Sequence, residues 1–441
     1  MNNAADYIVV LNACVFVVVL WKYYKRHGVD IYTFLLFVWT ASVLTSVAFF
    51  FINTFRDYSS ITFLPLAVLS ILLFISFKPI AKFRTAMVER VYLNNNGILI
   101  VIGYILVFVS IIPFVENFGI VCSLYSSGGV GNQFAEAYIM TNEGNLGDFM
   151  DTNMSWIGKK FNVVNSWTRD FIPILFFYFI SYIARRKHRG LKVGLLLASL
   201  NPLLISLISG GRVGIVTQLI YFLFLFILFR NFLPNRIIKL LFRFGVIGGG
   251  VFLLILALVT IGRFENLLGD VSLLEFVFWY SGEGVLNFSS EMWHIKETMG
   301  GDNTLAFFKD LMGLDTFVDV SDRRSYWDYN RTGVTSYIFQ TFIGDFWADF
   351  RYWTIPILIL VVLTLIRLTK AKKDVPLYRI VILSIWAKIC LLGFTFYIYK
   401  TVESTMVLLT TLLMYSMLVL IHNYPRNANQ KAMIKQKVCH Y

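Results

Sequence analysis

The residues with the most chemical content in this chain are arginines. Ser209-Gly210-Gly211-Arg212 stands between two apolar runs. Gly210 and Gly211 let the backbone turn there and approach a ligand closely. Arg212 then offers a planar fork of donors suited to phosphate oxygens. The plainer alternative is a tight turn whose arginine reaches for lipid headgroups. Arg263 follows Gly262 at the end of another apolar run. The stretch Asp322-Arg323-Arg324-Ser325-Tyr326-Trp327-Asp328-Tyr329-Asn330-Arg331 adds Arg323, Arg324 and Arg331. Five such arginines point to an anion, a diphosphate or an acidic sugar, although Asp322 and Asp328 offer local ion pairs instead. Proton acceptors are also present. His294 can take a proton from a hydroxyl near neutral pH, and Glu283, Glu291 and Asp345 compete with it. A lone histidine is more often a polar surface residue.

The elements that must hold these groups follow from composition. Of the 441 residues, 57% are apolar and 15% charged, against about a quarter charged in an average soluble domain. One water-soluble core cannot hide that much apolar surface. Eleven runs are apolar enough for membrane-spanning helices: 6–21, 31–52, 61–77, 97–115, 170–184, 191–209, 213–229, 244–262, 353–369, 379–398 and 405–421. They are apolar on all faces rather than alternating, which argues against a barrel. The expected fold is therefore an all-α polytopic integral membrane protein in a single membrane domain, residues 1–441. No Lys or Arg precedes Tyr7, so the first run does not read as a cleavable signal.

Every second loop is basic. Those loops and the tail hold 25 bases and 3 acids, the opposite set holds 13 bases and 23 acids, and Lys388 is left inside a run. The positive-inside rule places the N-terminus outside and the C-terminus inside. It also accounts for the net charge of +13 without nucleic acid. Two outer segments are long, 116–169 and 263–352, and long structured loops are usually functional. Their Trp and Tyr beside acids and amides suit a sugar-like substrate, or equally an interfacial aromatic belt. Within the second, Val334, Ile338, Phe342, Phe346 and Phe350 recur every four residues opposite Thr341, Asp345 and Asp349. That spacing predicts an amphipathic helix over 334–350. Residues 271–286 and 304–314 are apolar enough to touch the membrane. Cys14 and Cys390 fall in runs, Cys439 in the tail and only Cys122 near the outer side, with no CxxC. Neither a disulfide nor a zinc site is expected, nor any cofactor. Walker, Gly-x-Ser-x-Gly and His-Glu-x-x-His motifs are missing from the sequence, so nucleotide-driven pumping, serine hydrolysis and zinc proteolysis lack support.

Four patches, in this order, resemble the bacterial oligosaccharide repeat-unit polymerases, the Wzy-type O-antigen polymerases. They are Ser209-Gly210-Gly211-Arg212-Val213-Gly214, Tyr280 through Phe288, Gly301-Asp302-Asn303-Thr304-Leu305-Ala306-Phe307, and Thr332-Gly333 through Phe350. The resemblance covers about 190 to 370 together with the topology of two large periplasmic loops. An Arg-x15-Gly pattern of some members does not fall on these loops, since Trp279 stands sixteen residues after Arg263. The resemblance implies a glycosyltransferase of the bacterial inner membrane that joins undecaprenyl-diphosphate-linked oligosaccharides at the periplasmic face. No acidic metal cluster is evident in the sequence, so no essential metal is expected, and a chain-length regulator is left open as a further partner. In this light Arg212, Arg263, Arg323, Arg324 and Arg331 are candidates to bind the diphosphate. His294, Glu283 and Asp345 are candidates for acid–base work. An O-antigen ligase shares the chemistry and much of the topology. A flippase for lipid-linked glycans would show paired halves, charges within spans and short loops.

Overall fold

The computed structural model describes residues 3–54, 56–126, 153–182, 187–209, 211–250, 273–314, 323, 325–335 and 338–424. The run expected at 244–262 is described only to residue 250, where residues 235–250 are helical. Gly210, Arg263 and Arg324 lie outside the described residues, and of Arg212 the backbone alone is described.

The chain is all-α. Its main helices are α1 (Asn3–His27), α2 (Ile31–Ile52), α3 (Phe63–Lys82), α4 (Asn96–Ser126), α5 (Trp156–Thr168), α6 (Phe171–Tyr182), α7 (Arg189–Ile208), α8 (Arg212–Phe229), α9 (Leu273–Ser290), α10 (Thr341–Phe350), α11 (Thr354–Leu368), α12 (Leu377–Leu392) and α13 (Val402–Asn423). Among the described residues, eight helices are long and apolar enough to cross a membrane. The run expected at 170–184 becomes the short α6. That expected at 379–398 stops at Leu392, because 393–401 leaves the helix.

α6 and α12 form the centre. Every residue from Phe171 to Phe179 is buried, and so is all of α12 except Tyr378 and Arg379. α1, α4, α11 and α13 surround them and expose large apolar side chains such as Phe108, Leu360 and Leu413. A stripe of that kind suits lipid. Between lipid-bathed helices association depends on close packing rather than on removal from water, because lipid tails are as apolar as leucine. The α2–α9 contact shows this. A Cβ on Gly282 would lie 2.4 Å from the Ser46 backbone nitrogen, so only glycine allows the approach. Ser42 Oγ donates to the Ser281 carbonyl at 2.7 Å across the same seam.

The basic loops collect at one end of the bundle. β1 (Arg90–Tyr92) pairs in parallel with β2 (Asp374–Pro376), Arg90 opposite Asp374. Lys373–Glu89 and Arg90–Asp374 ion pairs flank the ladder at 3.1 and 3.3 Å. Asn94 donates to the His422 carbonyl at 2.7 Å, and Tyr178 to Asn96 at 2.6 Å. Loops that the charge pattern groups together are thus joined in space.

The amphipathic helix expected over 334–350 begins only at Thr341. The residue before it, Gln340, has φ −144° and ψ 12°, and Thr341 itself takes φ +61°, a conformation a β-branched residue adopts only when its surroundings compel it. Backbone N–H groups of Gln340 and Thr341 both donate to the Thr395 carbonyl, and that of Phe342 to Gly393. The expected polar stripe is enclosed. Thr341, Asp345 and Asp349 are all buried, since α10 is enclosed on both faces and its polar side has partners of its own.

Candidate functional site

The Ser209–Arg212 turn joins α7 to α8. Ser209 N donates to Ile205 O at 2.9 Å and Gly211 N to Ser206 O at 2.8 Å, which closes α7 and starts α8 at once. Gly211 is the N-cap of α8 and carries no side chain to satisfy its first-turn N–H groups. Gly214 lets the two helix ends touch, since a Cβ there would fall 2.1 Å from Ser206 Oγ. The first turns of α8 form one wall of a cleft of about 360 Å³. The opposite wall comes from the end of α5 with Asn162, Asn165 and Arg169, and from Phe396, Tyr399 and Glu403.

The polar groups of this cleft are unevenly paired. Arg169, half-buried, donates its backbone N–H to Ser166 O, and its guanidinium makes no close ion pair with a carboxylate among the described residues. Lys388 projects from α12 at the floor, 7% exposed. It is ion-paired with the buried Asp170. Asp170 also accepts from Tyr399 OH at 2.7 Å, while its backbone carbonyl accepts from Tyr221 OH at 3.1 Å. The Lys388 ammonium lies 5.1 Å from the Tyr221 ring centre. Glu403 at the rim is exposed and accepts from Ser166 Oγ at 2.8 Å. The cleft thus combines two cations, a helix N-terminus, amides and aromatic rings. That set suits an oxyanion attached to a polar or ring-shaped body.

Residues 393–401 connect the cleft to a second polar network. The Tyr397 N–H donates to Asp345 Oδ2 at 2.6 Å, and Lys400 pairs with Asp345 at 2.6 Å. Gln340 Nε2 also donates to Asp345. Asp349 accepts from the N–H groups of Asn303 and Thr304 and from Thr304 Oγ1 at 2.7 Å. Arg323, buried, donates to the carbonyls of Asp302 and Lys400 at 3.0 and 3.2 Å. Two aspartates therefore grip one short segment: Asp170 through Tyr399, and Asp345 through Tyr397 and Lys400.

The candidate residues read from sequence scatter accordingly. Gly211 and the Arg212 backbone immediately precede Val213 and Gly214, which line the cleft. Asp345 is wholly buried and engaged by Lys400. Glu283 is buried against Arg56 at 2.7 Å; burial pushes its carboxyl up, while Arg56 pulls the other way. His294 is exposed in the turn Met292–His294, away from the cleft. Arg331 pairs with Glu297 at 2.9 Å, rather than with Asp328, and lies 3.9 Å from the Tyr326 ring centre. Arg323 donates to two backbone carbonyls. Sequence reading missed Arg169, Asp170 and Glu403 as site residues. One signal was present: a lone lysine in one apolar run and an aspartate at the head of another. Opposite charges within apolar runs seek each other, because each is costly alone in a membrane.

Helices of this length and apolarity, packed about two buried apolar helices, define an all-α polytopic membrane protein. Comparison of the chain with protein-family models, with curated proteins and with solved structures finds no match.

Proposed function

We propose that the chain is a glycosyltransferase that polymerises undecaprenyl-diphosphate-linked oligosaccharide repeat units into a surface polysaccharide. The observation that carries this reading is that the Ser209–Arg212 turn, one of the four patches resembling the polymerases, delivers the first turns of α8 to the same cleft as Arg169 and Lys388. In this reading eleven helices cross the inner membrane, with the N-terminus periplasmic and the C-terminus cytoplasmic. The cleft and the segments 116–169 and 263–352 then belong to the periplasmic half. Transfer breaks the bond between the growing glycan and its diphosphate carrier and forms one to a hydroxyl of the incoming repeat. Negative charge develops on the departing diphosphate, and donors already aimed at it lower the barrier. Arg169, Arg212 and the α8 N-terminus fill that role. Glu403, the carboxylate on the cleft rim, takes the acceptor proton.

The test is genetic and chemical. Deleting the gene in its own bacterium should leave surface glycan capped with a single repeat unit, because ligation continues. Loss of even the single repeat would overturn the polymerase reading in favour of a flippase or ligase.

A further inference from the structure

Within the proposed diphosphate cleft, one charge is unaccounted for by the motif. Lys388 is the lysine that the loop charge pattern leaves inside an apolar run, and it stands on α12, a helix buried at every residue but Tyr378 and Arg379. A buried ammonium is expensive unless it is paired or reaches water. Lys388 does both. Asp170 pairs with it from one side, and its remaining surface opens onto the cleft floor. A pair serving stability alone gains nothing from a place on a cavity wall, and apolar residues of equal volume usually serve stability as well or better. Asp170 is in turn fixed by Tyr399 OH, with Tyr221 OH on its carbonyl. The lysine is thereby held in one orientation, with Arg169 on the same wall system.

We propose that Lys388 is a phosphate-contacting cation at the floor of the cleft, that Arg169 completes the same subsite, and that Asp170 is its positioning residue. The ligand class is a phosphoric anhydride or phosphate ester. This inference rests on the reading of the cleft as a diphosphate site, but it is tested apart from polymerisation. Asp170 leaves Lys388 its charge while fixing its direction, and Tyr399 shares the carboxylate so that the pair does not close on itself.

The experiment uses the full chain in lipid nanodiscs with inorganic pyrophosphate as probe, read by tryptophan fluorescence, since Trp167 lines the cleft. Lys388→Met alone strands Asp170 and can fail to fold. The informative variant is therefore the double replacement Asp170→Leu with Lys388→Met, which removes both charges together and is expected to keep its unfolding temperature. It should lose pyrophosphate affinity by at least about tenfold, one charged contact being worth that much or more. Lys388→Arg should retain binding, and Arg169→Gln should lose it to a similar degree. A stable double variant that binds pyrophosphate as well as the parent would overturn the proposal. So would loss of the parent's binding when phosphatidylglycerol replaces a zwitterionic lipid, because the site would then belong to bilayer headgroups. Lys388-dependent pyrophosphate binding in a chain whose deletion leaves long glycan intact would uphold this site and remove the polymerase reading alone.

Discussion

At the scale of single residues, the cleft separates two kinds of arginine that look alike in the sequence. Arg323 and Arg331 spend their donors on carbonyls and on Glu297. Arg169 lines the cleft and makes no close ion pair with a described carboxylate, and the Arg212 backbone begins the helix that walls it. Replacing either with alanine is expected to lower polymerisation by roughly two to three orders of magnitude, the value of a fully used charged contact in a desolvated site. Arg212→Lys keeps the charge but not the fork, so it should restore activity only in part. Lys160→Ala, on the exposed face of α5, is the control and should match the parent. Glu403→Gln should slow transfer while leaving substrate binding unchanged, and His294→Ala should do neither. Glycan ladders resolved by length, normalised to protein level, check all of these. An Arg212→Ala protein that is poorly inserted would point to a headgroup anchor instead. The motif arginine was legible from its two glycines. Arg169 was not, because it borders a helix end and an apolar run with no pattern of its own, and only folding sets it opposite α8.

Elements show the same division. Helix positions followed from apolar runs because each needs little more than length and the lack of charge, and α2 matches its expected bounds of 31–52. Its start is fixed locally, by Asp30 accepting from Thr33 N at 2.7 Å. What composition could not show is where a run stops being a helix. Residues 393–398 read as the tail of the apolar run, but the chain breaks there because Asp345, Asp170 and the α10 N-terminus offer partners that a continued helix cannot reach. Likewise Thr341, Asp345 and Asp349 read only as the polar stripe of an amphipathic helix, since the sequence alone does not reveal Lys400 or Thr304 as partners. The Lys400–Asp345 pair gives a direct measure of this junction. Lys400→Met leaves a buried carboxylate without its ion partner, and breaking such a pair costs about 3–5 kcal/mol. Thermal unfolding in detergent should fall accordingly. Lys400→Met combined with Asp345→Asn should recover most of the loss, because an amide does not carry the stranded charge. Equal stability of Lys400→Met and the parent would show that the 393–401 segment is held by its backbone bonds alone.

For the whole molecule, sidedness is decided by loops rather than by helices. The charge pattern assigns 78–90, 185–192 and 367–379 to one face, and the fold brings two of these together through the β1–β2 ladder and its flanking ion pairs. A parallel ladder between loops so far apart in sequence requires both to lie at the same end of the bundle, which the alternation of basic loops demands and an odd error in the number of intervening passes would forbid. The Asn94–His422 bond places the end of α13 there too. At the other end are Arg56 with Glu283, Thr54 with Glu275 at 2.9 Å, and Ser166 with Glu403, an acid-rich set opposite to the basic one. If lysine and arginine stay on the cytoplasmic side, a cysteine at position 329 must face out and one at 372 must face in. Both sites are exposed, so accessibility depends on side alone. In a background with the native cysteines replaced, Tyr329→Cys should react with a membrane-impermeant maleimide in intact spheroplasts. Lys372→Cys should react only after the membrane is opened. Labelling of 372 but not 329 in intact cells would invert the molecule and put the cleft, with Arg169 and Lys388, in the cytoplasmic half, where no periplasmic glycan could reach it.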